Sequence, residues 1–124
     1  MLKTLQEAVS RWSRQNFGLN YSQTDKDLML DSLAPLMGIG EEYGELLHAT
    51  LKYHQGIRGY DDPNKYERKR DDAVGDIMIY LLDYCSREGI DLMQVTQKTW
   101  DEIVKKRNWK DLPDGPERQE GKKA

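Results

Sequence analysis

Leu36-Met37-Gly38-Ile39-Gly40-Glu41-Glu42-Tyr43-Gly44-Glu45-Leu46-Leu47-His48-Ala49-Thr50-Leu51 is the stretch on which the fold turns. Leu36, Ile39, Tyr43, Leu46, Leu47, Thr50 and Leu51 recur at helical spacing and make a broad apolar stripe. Three glutamates and three glycines interrupt it. Like charges three or four residues apart destabilise a helix by roughly 0.2–0.5 kcal/mol per pair, and a mid-helix glycine costs about 0.8–1 kcal/mol relative to alanine. About thirty residues on, Asp71-Asp72-Ala73-Val74-Gly75-Asp76 repeats both features inside a second apolar helical pattern. A divalent cation held between the two helices would offset both penalties, and Mg²⁺ is the first expectation.

The rest of the chain reads as helix around this pair. Leu2, Leu5, Val9 and Trp12 mark a first helix over residues 2–16, and residues 16–27 are polar and read as a loop. The second helix is expected to be capped by Asp31 or Ser32, with Pro35 in its first turn, and to end near Gln55-Gly56. Residues 56–64 are dense in turn formers and connect it to a third helix, from 64 or 70 to 87, which Gly89 stops. Asp91 caps a fourth helix through Val95, Trp100, Ile103 and Val104. The pattern predicts an all-α protein, an antiparallel four-helix bundle over residues 1–110, with a polar, disordered tail over 111–124.

Composition narrows the function. The 124 residues are 37% hydrophobic and 33% charged, enough for one domain whose core a second subunit could complete. A net charge of −3 provides no overall basic field, so no nucleic-acid partner is expected. The longest apolar runs are a few residues, too short for a membrane span, and the first residues lack the apolar core of a secretory signal. Cys85 is the only cysteine, which excludes an intrachain disulfide and fits a cytoplasmic protein.

Glu42 and Glu45 project from one helical face, as do Asp72 and Asp76. Counted back from Gly56 and forward from Asn64, Glu45 and Asp76 arrive at nearly the same height in an antiparallel hairpin. Facing carboxylates supply hard oxygen ligands suited to Mg²⁺ or Mn²⁺. Gly44 and Gly75 are expected to let the two backbones approach. A solvated acidic face is the plain alternative, and matched heights within apolar stripes weigh against it.

The runs Gly38 to Leu47, Gln55 to Gly59 and Asp72 to Ile77 resemble the MazG-like nucleotide pyrophosphohydrolases, the all-α superfamily that includes dimeric dUTPases and dCTP pyrophosphatases. The resemblance extends from the first helix to Trp109. The family pattern is EExxE, a spacer, then ExxD. Glu41, Glu42, Glu45 and Asp76 match it, while Ala73 stands where the second glutamate belongs and Asp72 precedes it by one residue.

The resemblance implies hydrolysis of a (deoxy)nucleoside triphosphate to the monophosphate and pyrophosphate. It implies Mg²⁺ on Glu42, Glu45, Asp76 and a substituting Asp72, and Glu41 or Glu42 as acceptor of the proton from the attacking water. Lys52, Arg58, Lys105, Lys106, Arg107 and Asn108 are candidates for contacting the triphosphate, although the cations near the end of helix four also suit its dipole. Tyr80, four residues after Asp76, stands where related dCTP pyrophosphatases carry a tyrosine. Asp83 extends the same stripe, and Trp12 and Phe17 are candidates to stack on a base, against a plain packing role. The resemblance also implies a homodimer or homotetramer.

Two other readings compete. Glu45-Leu46-Leu47-His48 is an E-x-x-H of the di-iron bundle type, but Asp76 is followed three later by Ile79, so no second copy exists. The other is a non-catalytic helical module that binds a metal or a basic partner through an acidic face.

Overall fold

The computed structural model describes residues 1–17 and 25–107, with side chains described except at 25–31 and 107. The expected tail, Asn108 and most of the first loop lie outside them. Among the described residues there are four helices and no strand: α1 (Leu2–Phe17), α2 (Asp25–Gln55), α3 (Pro63–Arg87) and α4 (Leu92–Arg107). The described residues are all-α, as the periodicity predicts.

Helix ends follow local chemistry. Gly56 at φ +66° and Gly89 at φ +69° take the left-handed conformation that ends α2 and α3. Asp62 caps α3 by accepting a hydrogen bond from the Asn64 backbone N–H at 3.0 Å, and Pro63 takes the first helical position. Asp91 does the same for α4, accepting from Gln94 N–H at 3.2 Å. The start of α2 departs from expectation. The helix begins at Asp25 and runs through Pro35. An interior proline removes the hydrogen bond to the carbonyl four residues earlier and costs about 3 kcal/mol in an isolated helix. Here the ring is buried, so packing offsets part of that cost.

α2 packs most extensively on α3, α1 packs on α3, and α4 packs on α1. The arrangement is therefore a hairpin with α1 laid on one of its helices and α4 attached to α1. Val9, Ala49, Tyr60, Ala73, Leu82 and Cys85 are the buried hydrophobic residues. Buried Gln6 ties α1 to the α3–α4 turn. Its Nε2 donates to the Ile90 carbonyl at 2.7 Å, and its Oε1 accepts from Leu92 N–H at 3.2 Å.

Three pairs fix the register of the hairpin. Gly38 lies against Tyr80, Glu42 shares a cavity with Asp76, and Tyr53 stacks on Tyr66 with centroids 4.4 Å apart. Four residues gained along α2 are four lost along α3, as antiparallel packing requires. This register sets Asp76 opposite Glu42 and leaves Glu45 opposite Ala73, not opposite Asp76. The shift of about one turn has a simple origin: α3 starts at Pro63, so Asp76 lies farther from the connection than Glu45 does.

Candidate active site

The site is a cavity of about 400 Å³ between α1 and the α2–α3 hairpin, within the range of small-molecule pockets. Its wall carries Glu42 from α2, Asp76, Tyr80, Asp83 and Arg87 from α3, and Trp12 and Phe17 from α1. On α3 these residues are spaced four, three and four apart, so a single helical face supplies all of them.

At one end lie the acids. Single carboxylate oxygens of Glu41, Glu42 and Glu45 come within 4.8 Å of one another. Glu41 and Glu45 are exposed, whereas Glu42 Oε2 is cut off from solvent and has no hydrogen-bond partner among the described residues. Burial, and then the charges of Glu45, Asp76 and Glu41, push the Glu42 carboxyl above its usual range. A buried, unpartnered oxygen among like charges is unfavourable unless a cation compensates it. These hard oxygen donors fit Mg²⁺ or Mn²⁺.

Asp72 is exposed on α3 and does not line the cavity, while Ala73 is buried at 2% exposure. Ala73 thus faces the packed interior between helices, and its neighbour Asp72 faces solvent.

Tyr80 separates the acids from the far end. Burial first, and the charges of Glu41, Glu42 and Asp76 next, raise its hydroxyl above the ordinary tyrosine range, so the phenol stays protonated. Its ring lies on α2 only because residue 38 is glycine: a Cβ there would sit 2.5 Å from Tyr80 Cε1. Gly38 is therefore the close approach of the two helices. A Cβ at Gly44 or Gly75 would meet nothing within 4 Å, so these glycines do not draw the backbones together.

At the far end Trp12 and Phe17 meet edge to face with centroids 5.4 Å apart, each about half exposed. Beneath them lies a buried polar network. Arg87 Nε donates to Asp83 Oδ1 at 3.0 Å, Ser13 Oγ donates to Asp83 Oδ2 at 2.9 Å, and Arg87 Nη2 donates to Ser13 Oγ at 2.6 Å. Ser13 is fully buried, and Asp83 is 7% exposed.

The other candidates fall elsewhere. Lys52 donates to Gln55 Oε1 at 3.0 Å, outside the cavity lining. Arg58 is exposed in the α2–α3 connection with φ +58°, and its carbonyl accepts from Lys65 Nζ at 2.9 Å. Lys105 and Lys106 are exposed on α4, the Arg107 side chain is not described, and Asn108 lies outside the described residues. His48 and Tyr60 meet edge to face with centroids 6.0 Å apart. Ser13, Gly38 and Arg87 escaped sequence reasoning. Arg87 alone left a signal there, an opposite charge four residues after Asp83 beside Leu82 and Cys85.

Comparison with protein-family models, with curated proteins and with solved structures returned no match. Among the described residues no helix is long and apolar enough to cross a membrane.

Proposed function

We propose that this protein is a Mg²⁺-dependent nucleoside triphosphate pyrophosphohydrolase of the MazG-like type, acting in the cytoplasm. The observation that carries the reading is Glu42 Oε2, buried and without a hydrogen-bond partner among the described residues, beside Glu41 and Glu45 and sharing a cavity with Asp76. Glu42, Glu45 and Asp76 would hold the metal, with Asp72 reaching it only through water. When bound, Mg²⁺ (or Mn²⁺) neutralises the triphosphate and lowers the pKa of a bound water.

The chain's own groups do the rest. Glu41, exposed beside Glu42, accepts a proton from the attacking water. The water oxygen bonds to phosphorus, the anhydride bridge between the α and β phosphates breaks, and pyrophosphate leaves. Tyr80 keeps its proton and donates a hydrogen bond to a phosphate or sugar oxygen. Lys52, Arg58 and Lys105, which do not line the cavity, would meet the outer phosphates from a neighbouring subunit, and Arg107 remains a candidate for the same role.

A second copy is part of this proposal. Leu36, Met37, Leu47, Leu51, Val74 and Met78 are exposed along the α2–α3 hairpin, a large apolar surface for a soluble helical protein. A homodimer or homotetramer would cover it, and sedimentation analysis would show the assembly.

The deciding assay is a panel of eight common NTPs and dNTPs with Mg²⁺, separating pyrophosphate from orthophosphate release. Pyrophosphate release abolished by Glu45→Ala and by Asp76→Ala, with both variants folded, is the expected result. No turnover by the folded native chain would leave the non-catalytic helical module.

A further inference from the structure

The far end of the cavity has a chemistry of its own. Asp83 lies seven residues from Asp76, about 10 Å along α3. That distance is comparable to the reach from a phosphate across a ribose to the edge of a base. Above this floor stand two half-exposed aromatic rings, and within it lie a carboxylate and a guanidinium that both line the cavity.

The network beneath the rings is an unusual choice for stability alone. The other described ion pair, Arg70 with Asp71, is exposed, whereas the Arg87 and Asp83 side chains are only 8% and 10% exposed. A buried ion pair can be exchanged for apolar side chains with little or no loss of stability. A carboxylate has about four acceptor sites, and Arg87 Nε and Ser13 Oγ take two of Asp83's. Acceptor capacity therefore remains at a fixed position on the cavity wall.

We propose that Trp12 stacks on a nucleobase, with Phe17 edge-on to it, and that Asp83 and Arg87 read its edge, selecting bases that carry an exocyclic amino group. This rests on the nucleotide reading above and adds the base class to it. An amino hydrogen on cytosine, adenine or guanine donates to the Asp83 carboxylate, and the neighbouring ring nitrogen or carbonyl accepts from Arg87. Thymine and uracil instead place a carbonyl at the position of the amino group, and a carbonyl oxygen against a carboxylate is repelled. Ser13 acts as a positioning residue by fixing both side chains.

The test is equilibrium binding of dCMP, dAMP, dGMP and dTMP, alongside Mg²⁺–pyrophosphate as a probe of the acid end. At least one amino-bearing nucleotide should bind about tenfold more tightly than dTMP, the scale of a single edge contact of 1–3 kcal/mol. Asp83→Asn should narrow that ratio and leave pyrophosphate affinity unchanged. Trp12→Ala, at a half-exposed position, should weaken all four by about tenfold through lost stacking. Should Asp83→Asn fail to fold, Ser13→Ala should narrow the ratio to a smaller degree.

Equal binding of dTMP and the others, or a uniform loss on Asp83→Asn or Ser13→Ala, would reduce the network to a clamp between α1 and α3 and overturn the proposal. The two readings separate cleanly. A base preference that depends on Asp83 without any hydrolysis would remove the pyrophosphohydrolase and keep the base site. Hydrolysis indifferent to Asp83 would do the reverse.

Discussion

The two ends of one cavity treat charge in opposite ways. At the Asp83 end a buried carboxylate is met by a guanidinium and a serine hydroxyl, so the charge is compensated within the fold. At the Glu42 end three glutamates crowd together, and Glu42 Oε2, shut away from water, has no hydrogen-bond partner among the described residues. Tyr80, seated on Gly38, stands between them. The difference teaches that burial alone does not call for a cation. Uncompensated burial does, because folding leaves there a free-energy deficit that a bound cation can relieve.

The largest effect should come from breaking the compensated end. Arg87→Ala strands Asp83 in a buried position, and removing one partner of a buried pair costs about 3–5 kcal/mol. Urea denaturation should show that loss, while Asp83→Leu with Arg87→Met should recover most of it. A loss below about 1 kcal/mol for Arg87→Ala would mean the pair is solvated, and the contrast between the two ends would fail.

A smaller effect is expected at the divide. Gly38→Ala drives a methyl into the Tyr80 ring, and overpacking of this kind costs about 1–3 kcal/mol. Shortening the ring side chain should relieve it, so Gly38→Ala with Tyr80→Leu should be less destabilised than additivity of the single variants predicts. Strict additivity would show that the ring moves away freely and does not partition the cavity.

Much of this arrangement was legible in the chain. Periodicity located all four helices, Gly56 and Gly89 marked two ends, and the spacing of the acids put them on the facing helices. What failed has physical causes. Pro35 reads as a helix start because its missing N–H is harmless there, yet burial of the ring lets α2 continue through it. The register slipped by a turn because a seven-residue connection does not reveal how it is divided between the helix ends. Gly44 and Gly75 carry the same signal as Gly38, and only packing distinguishes the glycine that touches a neighbour. The Ser13–Asp83–Arg87 network joins residues some seventy apart and exists only once α1 lies on α3.

The smallest effect, and the one that bears most directly on the uncompensated end, concerns Glu42. Its carboxyl is raised in the folded protein above its unfolded value, by burial first and by Glu45, Asp76 and Glu41 next. The folded state therefore holds that proton to higher pH than the unfolded chain does. Between the two values, and at all pH above them, Glu42 subtracts from stability, and the deficit fades as pH falls through the raised value. Glu42→Gln should stabilise the metal-free protein at pH 7, by about 0.2–0.5 kcal/mol for each like-charged helical pair removed, and the gain should vanish in acid. Mg²⁺ should reverse the order. It stabilises the native chain at pH 7 by occupying the deprotonated site and does much less for the glutamine variant, because ligand binding requires the carboxylate. Thermal melts of both proteins at pH 7 and pH 4.5, with and without Mg²⁺, contain every term of this comparison. If Glu42→Gln is neutral in all four, the orphaned oxygen is already satisfied by solvent, and the acid end is an ordinary charged surface.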